Sequence, residues 1–176
     1  MRKYLTILGA AVLAAPLTAL AVTPASAESS PAQMCKQERQ TMGEAAFKLL
    51  HGTNENKSNA FGKCVSKKAK QRQAARTNAS AQCRSEQNDP NFAATHGGKT
   101  FDQFYGTNKK GSNAFGKCVS AKANETVEAS HNTVLNAAKR CKAERDANPT
   151  AFKNTHGTNK NKSNALGKCI SKLVKA

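Results

Sequence analysis

Cys64, Cys118 and Cys169 each follow a lysine, and histidines stand at positions 51, 96, 131 and 156. A thiol beside a lysine and near a helix start is the material of a thiolate nucleophile, and Cys with His can bind zinc. The spacing completes neither chemistry. His51 and His156 directly precede a recurring glycine, but Tyr105 holds that place in the middle copy, and His96 and His131 recur at no matching position. A repeated metal site would not lose a ligand in one copy of three. None of the lysine-flanked cysteines has an adjacent base, and each has a second cysteine at matching spacing. Asn54-x-Asn56-x-Ser58 imitates the start of a calcium loop, yet Asn59 and Val65 stand where that loop needs Gly and Glu, and Lys110 falls at a ligand position in the second copy. With no Ser/His/Asp set, paired carboxylates or phosphate-cradling glycine loop, the chain reads as non-enzymatic, without metal or cofactor.

The elements that must carry these residues are repeated. Residues 52–66 read GTNENKSNAFGKCVS, 106–120 read GTNKKGSNAFGKCVS and 157–171 read GTNKNKSNALGKCIS, with ten of fifteen positions identical throughout. Upstream, Cys35, Cys83 and Cys141 each precede a glutamate by three residues (Glu38, Glu86, Glu144), and Phe47, Phe101 and Phe152 stand five before the loop glycine. In this reading Gly52 takes a positive φ behind a short helix, Ser58 or Asn59 caps a new helix, and Gly62 lets another backbone approach. Each repeated glutamate is expected to reach the lysine before the second cysteine, such as Lys63, or the loop amides.

Val65–Gln82 and Val119–Arg140 contain no Gly or Pro and are rich in helix formers, so each is expected to be one helix linking two units. Cys64 and Cys83 would then lie roughly 28 Å apart along the first of these helices, from a rise of about 1.5 Å per residue. A disulfide spans at most about 7 Å between Cα atoms. The predicted pairs are therefore Cys35–Cys64, Cys83–Cys118 and Cys141–Cys169. Positions 123, 127, 134, 138 and 141 give the second linker an apolar seam, whereas the first has only alanines and is the expected place for fraying.

The predicted fold is all-α: three disulfide-stapled helix–loop–helix repeats joined by long shared helices, with little central core. Only 18 of the 149 residues after Ala27 are Leu, Ile, Val or Phe, which leaves covalent staples to do what burial cannot. The predicted units are 28–74, 75–128 (with an insertion near 90–99) and 129–176. Residues 1–27 read as a signal peptide: Arg2 and Lys3, an apolar run over 5–22, then Ala25-Ser26-Ala27 for cleavage. The expected location is extracellular, and the even cysteine count suits that oxidising setting.

The GTN…SNAFGKCVS pattern resembles small secreted proteins of actinobacteria that are otherwise uncharacterised, and the likeness spans the leader and all three units. It implies no activity and no catalytic or binding residue.

Charge is the remaining functional signal. The chain carries 28 Lys and Arg against 11 Asp and Glu, a net +17, or +15 once Arg2 and Lys3 are removed with the leader. Residues 66–76 are basic with no acid. Lys63, Lys67, Lys68, Lys70, Arg72, Lys117 and Lys168 are the candidate anion-binding residues. The expected partner is an anionic cell-wall polymer or polysaccharide. Nucleic acid and anionic lipid are less favoured; against nucleic acid, most phenylalanines recur at core-like places instead of interleaving with the basic residues. The alternative is a structural spacer whose charge serves solubility alone.

Overall fold

The computed structural model describes residues 29–175, so the predicted signal peptide lies outside the described residues. Those residues form eight helices: α1 (Pro31–Met42), α2 (Glu44–His51), α3 (Ala60–Gln87), α4 (Phe92–Thr95), α5 (Phe101–Tyr105), α6 (Ala114–Ala147), α7 (Pro149–His156) and α8 (Ala165–Lys175). The protein is all-α. The disulfides Cys35–Cys64, Cys83–Cys118 and Cys141–Cys169 are all formed, each with Cα atoms 6.0 Å apart. No helix among the described residues is long and apolar enough to cross a membrane.

Local chemistry sets the helix ends. Ser30 and Gln33 close a capping box on α1 with Pro31 in its first turn, and Gly43 at φ 85° ends it. Thr100 and Gln103 repeat the capping box on α5. α3 and α6 run unbroken through both predicted linkers, so the alanine-rich linker is continuous helix.

The two long helices fold back on each other. The Cys83–Cys118 bond ties the C-terminal end of α3 to the N-terminal end of α6, while Lys68 and His131 meet on Glu38 towards the opposite end. They are therefore antiparallel. Ala75 and Ala79 of α3 are buried with Ala123 and Val127 of α6 and Met34 of α1. Small side chains at these places let the backbones come close, which is why a linker with only alanines is held. The apolar seam of α6 is buried along the predicted positions Ala123, Val127, Val134, Ala138 and Cys141.

The core departs from a chain of separate clasps. The largest buried cluster joins Cys35, Met42, Phe47 and Cys64 of the first unit to Val134, Phe152, Cys169 and Ile170 of the third. Because α6 returns alongside α1 and α3, it carries the third unit back onto the first, and α2 packs on α8. The core remains thin, built largely from alanine and cysteine. The middle unit has its own cluster, in which Phe92 from the inserted segment packs with Phe101 and the Cys83–Cys118 bond.

The repeated loop is built differently from the sequence reading. Gly52 has φ −72°, not a positive value. A Cβ there would lie 2.7 Å from the Lys48 carbonyl oxygen and 2.6 Å from Lys57 Cβ, so glycine is required by crowding. The left-handed residue is Lys57 (φ 58°), matched by Gly111 (φ 65°) and Lys162 (φ 53°). Asn59 does not cap α3 with its side chain; it clamps the loop, accepting from Thr53 N at 3.0 Å and donating to Thr53 Oγ1 at 2.8 Å. Asn113–Thr107 and Asn164–Thr158 repeat both bonds. Gly62 and Gly116 face open space, but in the third unit Gly167 meets α2, where a Cβ would lie 3.0 Å from Leu49 Cβ and 3.7 Å from the Ala46 carbonyl oxygen, so close approach explains this glycine in one copy of three. In urea melts, Gly52→Ala should cost about 1–3 kcal/mol through overpacking. Lys57→Gly, copying the middle unit, should gain about 1 kcal/mol by relieving a left-handed L-residue.

Candidate functional site

The densest polar constellation lies beneath the first disulfide. Glu38 projects from α1 one turn after Cys35, and its side chain is completely buried. One oxygen, Oε1, receives Lys68 Nζ at 2.7 Å and faces His131 Nδ1 at 3.1 Å. The other, Oε2, faces His51 Nε2 at 2.9 Å and lies 3.9 Å from Cys64 Sγ. His131 Nε2 in turn sits 2.9 Å from Gln37 Oε1. Lys68, His51 and His131 are themselves buried. Burial alone would raise the Glu38 pKa, but hydrogen bonds from His131, His51 and Lys68, with the lysine's charge, outweigh it and hold the carboxyl far below the usual range.

The other units repeat this arrangement in progressively opened form. Glu86 receives Tyr105 Oη at 2.8 Å and Lys122 Nζ at 2.8 Å, lies 3.9 Å from Cys118 Sγ, and its side chain is 28% exposed. Burial pushes its pKa up, and the bonds from Lys122 and Tyr105 bring the net shift down. The bond to Glu86 raises the pKa of Lys122; burial, then its own bond to Glu86, raises that of Tyr105. Among the described residues Glu144 keeps only His156, at 2.8 Å, with Cys169 Sγ 4.0 Å away, and its side chain is 52% exposed. Leu173 stands where the other units have Lys68 and Lys122, four residues after the second cysteine.

The glutamates thus turn towards the loops' entry helices, but their partners are not those expected. Neither Lys63 nor a loop amide binds Glu38; the partner is the residue directly before the loop glycine, which is His51, Tyr105 or His156. That position had been set aside as an incomplete metal ligand. Its His/Tyr/His alternation conserves a hydrogen-bond donor to a carboxylate, a role tyrosine fills as well as histidine. The cation four residues after Cys64 and Cys118 was the second available signal.

Glu38, His51 and Cys64 lie close enough together to invite a metal reading, as do Glu144, His156 and Cys169. With both sulfurs in disulfides, the second group offers one carboxylate and one imidazole; at the first His131 adds another imidazole, but Lys68 already occupies the carboxylate. The geometry is that of an internal ion-pair network.

The candidate anion-binding residues divide. Lys63, Lys67, Lys70, Lys117 and Lys168 are exposed. Lys68 is not available to a polymer: only 4% of it is exposed, and its ammonium is consumed by Glu38. Arg72 is half-buried and donates to the Ser29 carbonyl oxygen, which ties α3 to the start of the described chain. Helical periodicity takes positions 68 and 72 to the inner face, four residues apart below Cys64, while 63, 67 and 70 lie outside.

No protein-family model, curated protein or solved structure matches this chain.

Proposed function

We propose that this chain is a secreted, non-enzymatic module that binds anionic cell-envelope polymers without sequence or sugar specificity. The observation that supports it is the outer face of α3. Lys63, Lys67 and Lys70 recur four and three places apart, so they share one side of the helix, and all are exposed. Among the described residues none of the three has a carboxylate within ion-pair reach. Lys117 and Lys168 hold the place of Lys63 in the other two units and are also exposed. These five lysines therefore face solvent, where a polyanion can reach them.

The burial of Phe47, Phe92, Phe101 and Phe152 favours a polymer read by charge over bases read by stacking. Phe61 and Phe115 are covered in part by Arg39 and Arg84, 5.4 and 5.9 Å from the ring centres. A polysaccharide or wall phosphate needs no aromatic platform to be held by lysines.

The test is retention of the oxidised protein on purified wall polymer and on heparin at two salt concentrations. Exposed charges act over about 8 Å at physiological salt, so retention should fall steeply as salt rises. Replacing Lys63, Lys67 and Lys70 together by Gln should weaken it more than any single change, and adding Lys117→Gln and Lys168→Gln should weaken it further. Retention unchanged in molar salt would refute a charge-read polymer. No retention at low salt would leave a structural spacer.

A further inference from the structure

At the junction of the first and third units lies a half-open cleft of about 330 Å³. Its floor is apolar: Met42 and Ala46 from the first unit, Phe152, Ala165 and Leu166 from the third. Leu49 stands at its side and is 42% exposed, one of the two large hydrophobic residues left in solvent among the described residues. A net-basic protein with a thin core has little reason to leave apolar surface open beside its largest buried cluster.

The polar groups around this cavity are mostly cationic. Lys153, Lys162 and Arg145 line it, with Glu44 as the acid. Glu44 is already offset by Lys48 at 3.5 Å and Arg39 at 3.8 Å, and Arg145 by Asp146 at 2.8 Å. Lys162 donates to Asn154. Lys153 is exposed and has no ion partner among the described residues. An apolar floor under a rim of unneutralised ammonium groups complements a molecule with a hydrocarbon tail and an anionic head.

We propose that this cavity binds a monomeric single-chain anionic amphiphile, its tail among Met42, Leu49, Phe152 and Leu166 and its carboxylate or phosphate head at Lys153 and Lys162. The volume sets the size of the tail. A cleft of this size covers a short alkyl chain, several times the space that one water needs. Tails of six to eight carbons are therefore the probes of choice, and longer chains project into solvent through the open side. The site is separate from the lysine face of α3, and neither reading depends on the other.

The probes are hexanoate, octanoate, octyl phosphate and octylammonium, added to the oxidised full chain and followed by amide chemical shifts in NMR. Octanoate and octyl phosphate should shift resonances of α2, α7 and α8, and octylammonium should bind at least about tenfold more weakly. Binding should tighten about threefold to fourfold per methylene between hexanoate and octanoate, as expected for burying one CH₂. Ala45→Phe should block binding from the exposed side of α2, and Lys153→Glu should weaken octanoate about tenfold without altering the disulfides. Replacing Lys63, Lys67 and Lys70 by Gln should leave octanoate binding unchanged, which separates this site from polymer retention. Equal binding of octylammonium would overturn the proposal. So would shifts confined to other helices, or no effect of Ala45→Phe in a protein whose helical content is intact. Binding to anionic vesicles without binding of monomeric octanoate would equally overturn it, because it would assign the surface to a membrane.

Discussion

Glu38→Ala should be among the most destabilising single substitutions in this protein, costing about 3–5 kcal/mol in urea-induced unfolding. The change strands the Lys68 ammonium, whose side chain is 5% exposed, together with His51 and His131 in a site with no remaining anion. Glu38→Gln keeps the shape and two hydrogen-bond positions but loses the charge, so it should cost less, about 1–3 kcal/mol. The paired variant Glu38→Leu/Lys68→Met should recover much of the loss, because an apolar pair of similar volume removes both desolvated charges. The two other units supply an internal scale. Glu86→Ala should cost less than Glu38→Ala, since its side chain is 28% exposed, and Glu144→Ala less than about 1 kcal/mol, since its side chain is 52% exposed. The pH dependence has a defined sign. The Glu38 carboxyl is held far below its ordinary value, so its contribution is complete above the unfolded pKa of about 4.3 and is lost as pH falls towards the folded value. The stability gap between the native protein and Glu38→Gln should therefore narrow in acid. A Glu38→Ala protein within 1 kcal/mol of the native one, or a gap that stays constant down to pH 2, would show that the network is not the keystone its geometry makes it.

How much of this was readable beforehand depends on distance along the chain. The cysteine pairing was legible because a helix between Cys64 and Cys83 separates them by its own length, leaving only partners across the loops. The continuity of α3 and α6 was legible from the absence of Gly and Pro. The loop is legible as a loop, but the reason for its glycine is not. A recurring Gly marks either a positive φ or a close approach, and sequence does not distinguish the two; here the left-handed residue is Lys57, five places on. The carboxylate network was half legible. The glutamate recurred, and so did its His/Tyr/His partner and, in two units, its lysine, but reading these as one site needs the direction in which α2 and α3 meet. His131 was not legible at all. It belongs to no repeated position and reaches Glu38 only because α6 folds back along α1, bringing together residues 93 apart in sequence. The same return makes the first and third units share a core, which no pattern local to a unit could reveal.

Full removal of the disulfides should unfold the chain at 25 °C. The three bonds close segments of 29, 35 and 28 residues' separation that do not overlap, so each restricts a different part of the unfolded chain. The chain-entropy account assigns each about 3–4 kcal/mol, and independent loops add, giving roughly 10 kcal/mol in total. A domain of this size has about 5–15 kcal/mol of net stability. Burial cannot replace the lost term here. Many of the core positions are alanine or cysteine, and among the described residues only Met34, Phe47 and Ile170 are large apolar side chains buried almost completely. The variant with all six cysteines changed to Ala should therefore lose most of its helical circular dichroism and its cooperative melt. Each paired replacement taken singly should cost about 3–4 kcal/mol, with Cys35→Ala/Cys64→Ala the most damaging, because α1 then loses its cross-link to α3 and Glu38 its fixed position beside Lys68. Glu38 makes the prediction sharper than loop entropy alone. In the Cys35→Ala/Cys64→Ala protein, a further Glu38→Gln change should cost clearly less than it does with the bond intact, because the network would already be loosened. Simple additivity of those two changes would place the disulfide and the ion-pair network in separate stabilising units, against the 3.9 Å contact between Cys64 Sγ and Glu38 Oε2. A six-fold variant that keeps a cooperative, fully helical fold would show that the shared core of the first and third units suffices without any staple.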